Sequence, residues 1–427
     1  MAGAAAGRVG CGSLGAMNAQ QAMGPGPADG GIARMRAVMA GHVERGEMPG
    51  LITLVARGPH AHVEVIGSGA FGDPAPLRRD AIFRIASLSK PIAAVAAMIL
   101  VDDGRLRLTD PVDELLPELA GRRVLRSLDA ELDDTVPAIR SITLEDLLTF
   151  RLGFGLVMAP PGRYPIQVAV ERLELRTLGP PWPPTPYTPD EWMHHFGTLP
   201  LIHQPGEQWM YNTSAQVLGV LLQRATGQPL QDVLGERVFA PLGMTDTAFS
   251  VPPAKLGRFT TAYSPGPRPG ELTVLDRPEG SYWGAPPSFP DASGGLVSTI
   301  DDFWSFTQLL VNGGTHQGRR LLPEASVRLM LTDHLTAGQR AGAALFLGDH
   351  SGWGLGLAGP AADAPPAGPP VGGTARGFGW DGGAGTTWRS DLRTGFTGIL
   401  LTQRAMTSPG PPAVFTDFWS AAYECLE

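Results

Sequence analysis

Lysine is nearly missing from this chain. Of the 33 Lys and Arg residues, only Lys90 and Lys255 are lysines. Arginine holds its proton too tightly to act as a base. A lysine amine starts near ~10.4 and falls when it is desolvated or placed beside another cation. Almost every basic residue is therefore excluded from proton transfer. Cysteine is equally scarce. Cys11 and Cys425 lie near the two ends, which excludes a disulfide framework and a cysteine zinc site and fits reduced thiols. No apolar run reaches the ~20 residues of a membrane-spanning helix. Residues 1–30 are Ala/Gly-rich and lack the continuous apolar stretch of an export signal. They are expected to be a flexible arm, with Met17 as an alternative start, and the chain is expected in the cytoplasm. A net charge of −8 with scattered basic residues gives no support for a nucleic-acid surface. G-x-S-x-G, H-E-x-x-H and P-loop signatures are all absent. The glycine run at 382–385 lacks the following helix that would bind phosphate.

What is present is ordinary for a globular protein: 43% hydrophobic and 17% charged, with 56 Gly and 41 Pro marking many turns. A length of 427 residues allows two or three compact units. Residues 31–47 repeat apolar side chains at helical spacing, and 50–56 with 62–67 read as a strand hairpin. A helix is expected from Thr143, its N-cap, as far as Gly153. Residues 178–189 are too Pro-rich for regular structure and suggest a loop over a pocket or a surface connection. Residues 189–196 read as a helix. Ser298 or Thr299 can cap a helix over 300–310. Residues 353–357 read as a strand, 358–373 as a low-complexity connection, 386–390 and 396–403 as strands, and 414–426 as a last helix. His60 with His62, and the His194–His195 pair, have no third ligand nearby, so no metal site is expected.

This order predicts an α+β fold: an antiparallel sheet flanked by helices, formed by 31–104 together with 291–427. A mainly helical domain, 105–290, is inserted between them. A junction between the two would be a favoured place for a ligand cleft.

The stretch of most chemical interest is Ser87-Leu88-Ser89-Lys90, followed by the apolar run 92–101. Positions i and i+3 share a helix face, so the Lys90 amine would lie beside the Ser87 hydroxyl. A desolvated amine there can take the serine proton. Gly104 is a plausible end to that helix.

Residues 85–91, Ile-Ala-Ser-Leu-Ser-Lys-Pro, resemble the S-x-x-K motif of the serine β-lactamase and penicillin-binding-protein superfamily. The resemblance is to its class C-like branch, which includes family VIII carboxylesterases. It extends over roughly residues 32–425 through Asp146-Leu147-Leu148-Thr149, Pro205-Gly206-Glu207, Leu218-Gly219, the run Gly294 to Thr299, and Leu400-Leu401-Thr402-Gln403. It implies that Ser87 is the nucleophile and that Lys90 activates it. Tyr211 matches the tyrosine of the Y-x-N motif and would shuttle protons with the lysine. Here the sequence departs from the motif: the third position is Thr213 and the asparagine is residue 212. Trp380-Asp381-Gly382 matches the third motif, K-T-G or H-x-G, which lines the site. Backbone N–H groups of Ser87 and Gly383 would form an oxyanion hole.

The implied activity is hydrolysis of carboxylic esters through an acyl-enzyme, without metal or organic cofactor. The partner would be a small ester or amide. A β-lactamase, a D-amino-acid peptidase or amidase, an acyltransferase, and an inactive binding protein remain alternatives. Trp380 in place of a cationic residue, followed by the anionic Asp381, disfavours anionic β-lactams and favours neutral esters, although Arg376 and Arg389 are near in sequence.

Overall fold

The computed structural model describes residues 26–175, 184–268, 270–364 and 377–426. The expected arm lies almost wholly outside these residues. So do Met17, Cys11, Arg376 and much of the Pro-rich segment at 178–189.

Seven strands form one antiparallel sheet: β1 (Gly50–Arg57), β2 (His60–Gly67), β3 (Ser351–Trp353), β4 (Ala358–Pro360), β5 (Phe378–Gly382), β6 (Thr386–Asp391) and β7 (Phe396–Thr402). Their order across the sheet is β3-β4-β5-β6-β7-β1-β2. The C-terminal β7 pairs with the N-terminal β1, from Leu51 opposite Thr402 to Arg57 opposite Phe396. The two ends of the chain therefore close one sheet, and the fold is α+β as expected.

The helices that matter here are α1 (Asp29–Glu44), α2 (Ser89–Asp102), α3 (Leu144–Leu148), α4 (Pro189–Gly197), α5 (Thr213–Thr226), α6 (Ile300–Val311) and α7 (Ala413–Glu424). Strand alternation divides their packing. Leu51 and Val55 of β1, with Phe396 and Leu400 of β7, face Met35, Met39, Phe418 and Trp419 of α1 and α7. Ile52, Leu54, Ile399 and Leu401 face the main core with α2 and α6. That core continues from the sheet through α2 to Leu147 of α3 and Trp192 of α4. Each large apolar side chain buried in it contributes ~1.5–3 kcal/mol before conformational entropy is counted.

Helix α2 is buried on all sides from Ser89 to Leu100, which explains why 92–101 is continuously apolar rather than striped. Pro91 is tolerated because it falls in the first turn. Gly104 takes φ +71° just past the end, where a Cβ would be strained. Thr143 caps α3 as expected: its side chain accepts from the Asp146 N–H, and Asp146 reaches back to the Thr143 N–H. The helix stops at Leu148 rather than Gly153, because Phe150 turns left-handed at φ +58°. Thr299 caps α6 through the Asp302 N–H.

The 353–357 strand is displaced. The strand is Ser351–Trp353, after which the Gly354 N–H bonds the Leu357 carbonyl and turns the chain back. The first residues of the expected low-complexity connection thereby become β4. Between α2 and α6 there are also two small ribbons, Arg123–Leu125 with Thr135–Pro137 and Ala262–Pro265 with Leu272–Asp276. Among the described residues no helix is long and apolar enough to cross a membrane.

Candidate active site

Ser87 is carried by a single 3₁₀ turn, Ala86–Leu88, that runs directly into α2. The turn is held from three sides. Phe83 and Arg84 pair with Ser298 and Val297, and the Ile85 N–H bonds the Leu296 carbonyl at 3.1 Å. Ser89 Oγ donates to the Ala86 carbonyl at 2.7 Å and accepts the Leu296 N–H at 3.1 Å. From the sheet, Thr386 Oγ1 donates to the Ile85 carbonyl at 3.1 Å. These contacts fix Ala86 at φ +45°, a left-handed conformation that costs an L-residue about 1 kcal/mol or more. Gly382 is glycine for a local reason: a Cβ there would collide with the Ile85 carbonyl and Thr386 Oγ1.

Lys90 follows one turn later, as its spacing requires. Its Nζ donates to Ser87 Oγ at 2.8 Å and to the Ser293 carbonyl at 2.5 Å. It also lies 4.5 Å from the centre of the Tyr211 ring. The side chain is 1% exposed. Burial pushes the amine well below the ordinary lysine range, and the Asp291 carboxylate acts in the opposite direction. Ser293 reaches Lys90 because residues 297–298 run antiparallel to 83–84, which brings the 293–296 segment beside the nucleophile turn.

Tyr211 arrives from a different part of the chain. The Met210 N–H bonds the Phe150 carbonyl at 2.8 Å, so residues 209–211 lie along the segment after α3. Tyr211 OH donates to Ser87 Oγ at 2.6 Å, and Trp380 Nε1 donates to Tyr211 OH at 3.2 Å. Burial pushes the phenol up to about 12; its hydrogen bonds with Ser87 and Trp380 pull the other way, and Asp381 and Asp291 add to the rise. Tyr211 is thus a neutral hydroxyl donor at ordinary pH.

The structure therefore brings Ser87, Lys90, Tyr211 and Trp380 together. Gly382 backs the nucleophile turn. Gly383 follows at the end of β5, where a Cβ would meet nothing within 4 Å. Asp381 and Thr213 stand differently. Trp380 pairs with Trp388, and Asp381 with Thr387, so Asp381 lies on the other face of β5. There it accepts from Arg389 Nη1 at 2.8 Å and from Thr387 Oγ1 at 2.5 Å. Thr387 Oγ1 in turn accepts from Trp419 of α7 at 3.2 Å. Asp381 is therefore paired on the far face and reaches the site only through its weak effect on Tyr211, which weakens the expected repulsion of anionic substrates, and Arg389 is not a free replacement cation. Thr213 is fully buried at the start of α5, with no partner for Oγ1 among the described residues. Its neighbour Asn212 instead donates through Nδ2 to Ser293 Oγ at 3.1 Å.

Several site residues were not picked out from the sequence. Phe150, Trp209 and Phe346 surround Tyr211, with ring centres 6.0, 5.9 and 4.8 Å from its own. Trp353 stands edge-on to Trp380 at 4.8 Å. They come from separate segments, so no local pattern joins them. Ser293 and Asp291 lie just before the Gly294–Thr299 run that carries part of the resemblance, and no local signal separates them from it. Among the described residues no group of three or more His, Cys, Asp or Glu could hold a metal ion.

An antiparallel sheet whose β5 and β6 back a buried serine–lysine turn, with helices on both faces, is the β-lactamase/transpeptidase-like fold. The chain belongs to the Beta-lactamase family, whose model matches residues 35–415. It is 39% identical over 375 residues to Protein Rv1367c of Mycobacterium tuberculosis (strain ATCC 25618 / H37Rv), covering 85% of this chain and 86% of that one. It is 30% identical over 403 residues to Esterase EstB of Burkholderia gladioli, covering 89% and 92%. Among solved structures, EstCE1, a hydrolase with promiscuous acyltransferase activity, superposes with a TM-score of 0.73 at 23% identity over 92% of this chain and 98% of that one. Simvastatin synthase (LovD6 mutant) of Aspergillus terreus gives 0.72 at 22% identity over 93% and 96%. At these identities the structural likeness concerns the fold.

Proposed function

We propose that this protein is a serine hydrolase that cleaves carboxylic esters through an acyl-enzyme on Ser87. The observation that carries this reading is the position of Ser87 Oγ, 2.8 Å from Lys90 Nζ and 2.6 Å from Tyr211 OH. The similarity to Esterase EstB supports the ester preference.

With the amine neutral, the Ser87 hydroxyl gives its proton to Lys90 Nζ while Oγ attacks the substrate carbonyl carbon. The carbonyl oxygen becomes an oxyanion facing the N–H groups of Ser87 and Gly383. Collapse breaks the bond to the alcohol oxygen, which takes the Tyr211 proton, and the Lys90 ammonium returns a proton to Tyr211. Water then attacks the acyl-enzyme by the reverse relay and releases the acid. The Trp380 N–H bond to Tyr211 OH would favour the transient phenolate. The aromatic wall of Phe150, Phe346, Trp353 and Trp380 offers apolar surface to a substrate.

The test compares short-chain p-nitrophenyl esters with a chromogenic cephalosporin, using wild type and Ser87→Ala. Faster turnover of the esters, lost in S87A, is the expected result. Faster cephalosporin turnover would move the protein to the β-lactamase reading, and near-normal ester hydrolysis by S87A would refute the assignment. Adding an acceptor alcohol separates transfer from hydrolysis by the product formed.

A further inference from the structure

One buried acid behind the site has no part in the relay above. Asp291 is 3% exposed, and among the described residues no Lys, Arg or His forms an ion pair with it. Its Oδ1 accepts the Ser293 N–H at 2.7 Å, and its Oδ2 accepts Gln216 Nε2 of α5 at 3.3 Å. Its own carbonyl accepts the N–H groups of Gly294 at 3.2 Å and Gly295 at 2.8 Å. The carboxylate and the carbonyl thus clasp one tight turn from both ends. The product of that turn is the orientation of Ser293: its carbonyl accepts from Lys90 Nζ at 2.5 Å, and its hydroxyl accepts from Asn212 Nδ2 at 3.1 Å. Asn212 adjoins Tyr211, so the turn touches both proton-carrying groups.

We propose that Asp291 is a positioning residue for the reaction: it builds the turn that aims the Ser293 carbonyl at Lys90 and places a counter-charge for the lysine's proton behind the site. The proposal rests on the Ser87–Lys90–Tyr211 reading.

Geometry and charge agree on this role. The two acceptors of Lys90 Nζ are a hydroxyl and a carbonyl, both neutral. A carboxylate in direct contact would hold the proton on the amine. One step away, it offsets part of the burial cost and leaves the amine able to act as a base. Asp291 and Lys90 act on each other through this gap, and burial pushes the acid up as it pushes the amine down. The other titratable groups close by are Tyr211, ahead of α5, and Asp381, across β5 and already paired with Arg389. Gln216 contributes a neutral amide from α5. Asp291 is therefore the negative charge that faces the lysine unneutralised.

The experiment exploits the rarity of lysine. With only Lys90 and Lys255 in the chain, ¹³C-labelled lysine gives two side-chain signals, and K255R assigns them. Asp291→Asn keeps the shape and removes the charge. Its Lys90 signal should titrate about one pH unit or more below wild type. The acid limb of kcat/KM for a p-nitrophenyl ester should move down by the same amount. A Lys90 titration and acid limb unmoved in folded D291N would overturn the proposal. Asp291→Glu is the second variant and keeps the charge on a longer arm. It should retain the wild-type limb with kcat reduced up to about tenfold, the size of one displaced hydrogen bond, and full activity in D291E would equally overturn the positioning role. S87A, run in parallel, keeps the two readings apart. Turnover surviving in S87A would sink the nucleophile assignment, whereas the lysine titration reports on Asp291 alone.

Discussion

Two buried basic residues lie six residues apart, Arg84 and Lys90, and the protein treats them in opposite ways. Arg84 is in direct contact with Asp276, with Nε donating to Oδ2 at 2.9 Å. Both side chains are 4% exposed. Arg84 also bonds the Thr260 carbonyl and lies 3.9 Å from the centre of the Phe259 ring. Ser281 Oγ donates to the same carboxylate at 2.7 Å. Burial lowers the guanidinium to about 10, with Asp276 opposing the fall, so it stays charged at every working pH. Among the described residues Lys90 has no carboxylate in contact. Its proton is shared with a hydroxyl and a carbonyl, and the nearest acid acts through a turn. A cation that must hold a β-ribbon to its neighbour is arginine, closed in an ion pair. Lys90, bonded to a hydroxyl and a carbonyl instead, is arranged as the proposed base role requires.

This contrast can be broken in order of expected effect. Lys90→Ala should lower kcat/KM by about 10³–10⁴-fold, the scale of losing an activating base, with the thermal midpoint little changed. Lys90→Arg should be nearly as inactive, because a guanidinium cannot act as the base; recovery of activity in K90R would erase the distinction drawn above. Arg84→Ala should act on the other axis. It leaves Asp276 buried and unpaired at a cost of about 3–5 kcal/mol, read as a lowered denaturation midpoint with the pH profile of any folded protein unshifted. Trp380→Phe removes the N–H donor to Tyr211 OH and keeps an aromatic ring. A loss of about fivefold in kcat is expected, the equivalent of about 1 kcal/mol for one hydrogen bond; an unchanged kcat would reduce Trp380 to packing. Asp381→Asn should change the ratio of neutral to anionic ester turnover by less than about twofold, since its charge is paired on the far face of the sheet.

The pattern of what could be read in advance follows from the reach of each signal. Ser87 and Lys90 were legible because a three-residue spacing on an apolar helix is local, and because lysine is so rare here that its placement carries information. Tyr211 was legible only through its order relative to the other motifs, since its contact with Ser87 spans 124 residues. The sheet and its flanking helices followed from periodicity. Asp381 was misjudged because charge was considered without face: alternation puts Trp380 into the site and turns Asp381 to Arg389 and α7. Asp291 left no trace, because its role depends on a turn that meets Lys90 across some 200 residues. The end of α3 was set by a left-handed phenylalanine, which propensity does not anticipate, rather than by the glycine that followed.

The central claim is that Ser87 carries the acyl group, and trapping the intermediate tests it most directly. The protein is incubated with a p-nitrophenyl ester, quenched in acid during turnover, digested and mapped by mass. The account predicts one acyl group per chain on the peptide containing Ser87, absent in S87A and accumulating when Tyr211→Phe slows its release. Continued hydrolysis with no acyl adduct on Ser87, or with the adduct on another residue, would contradict it.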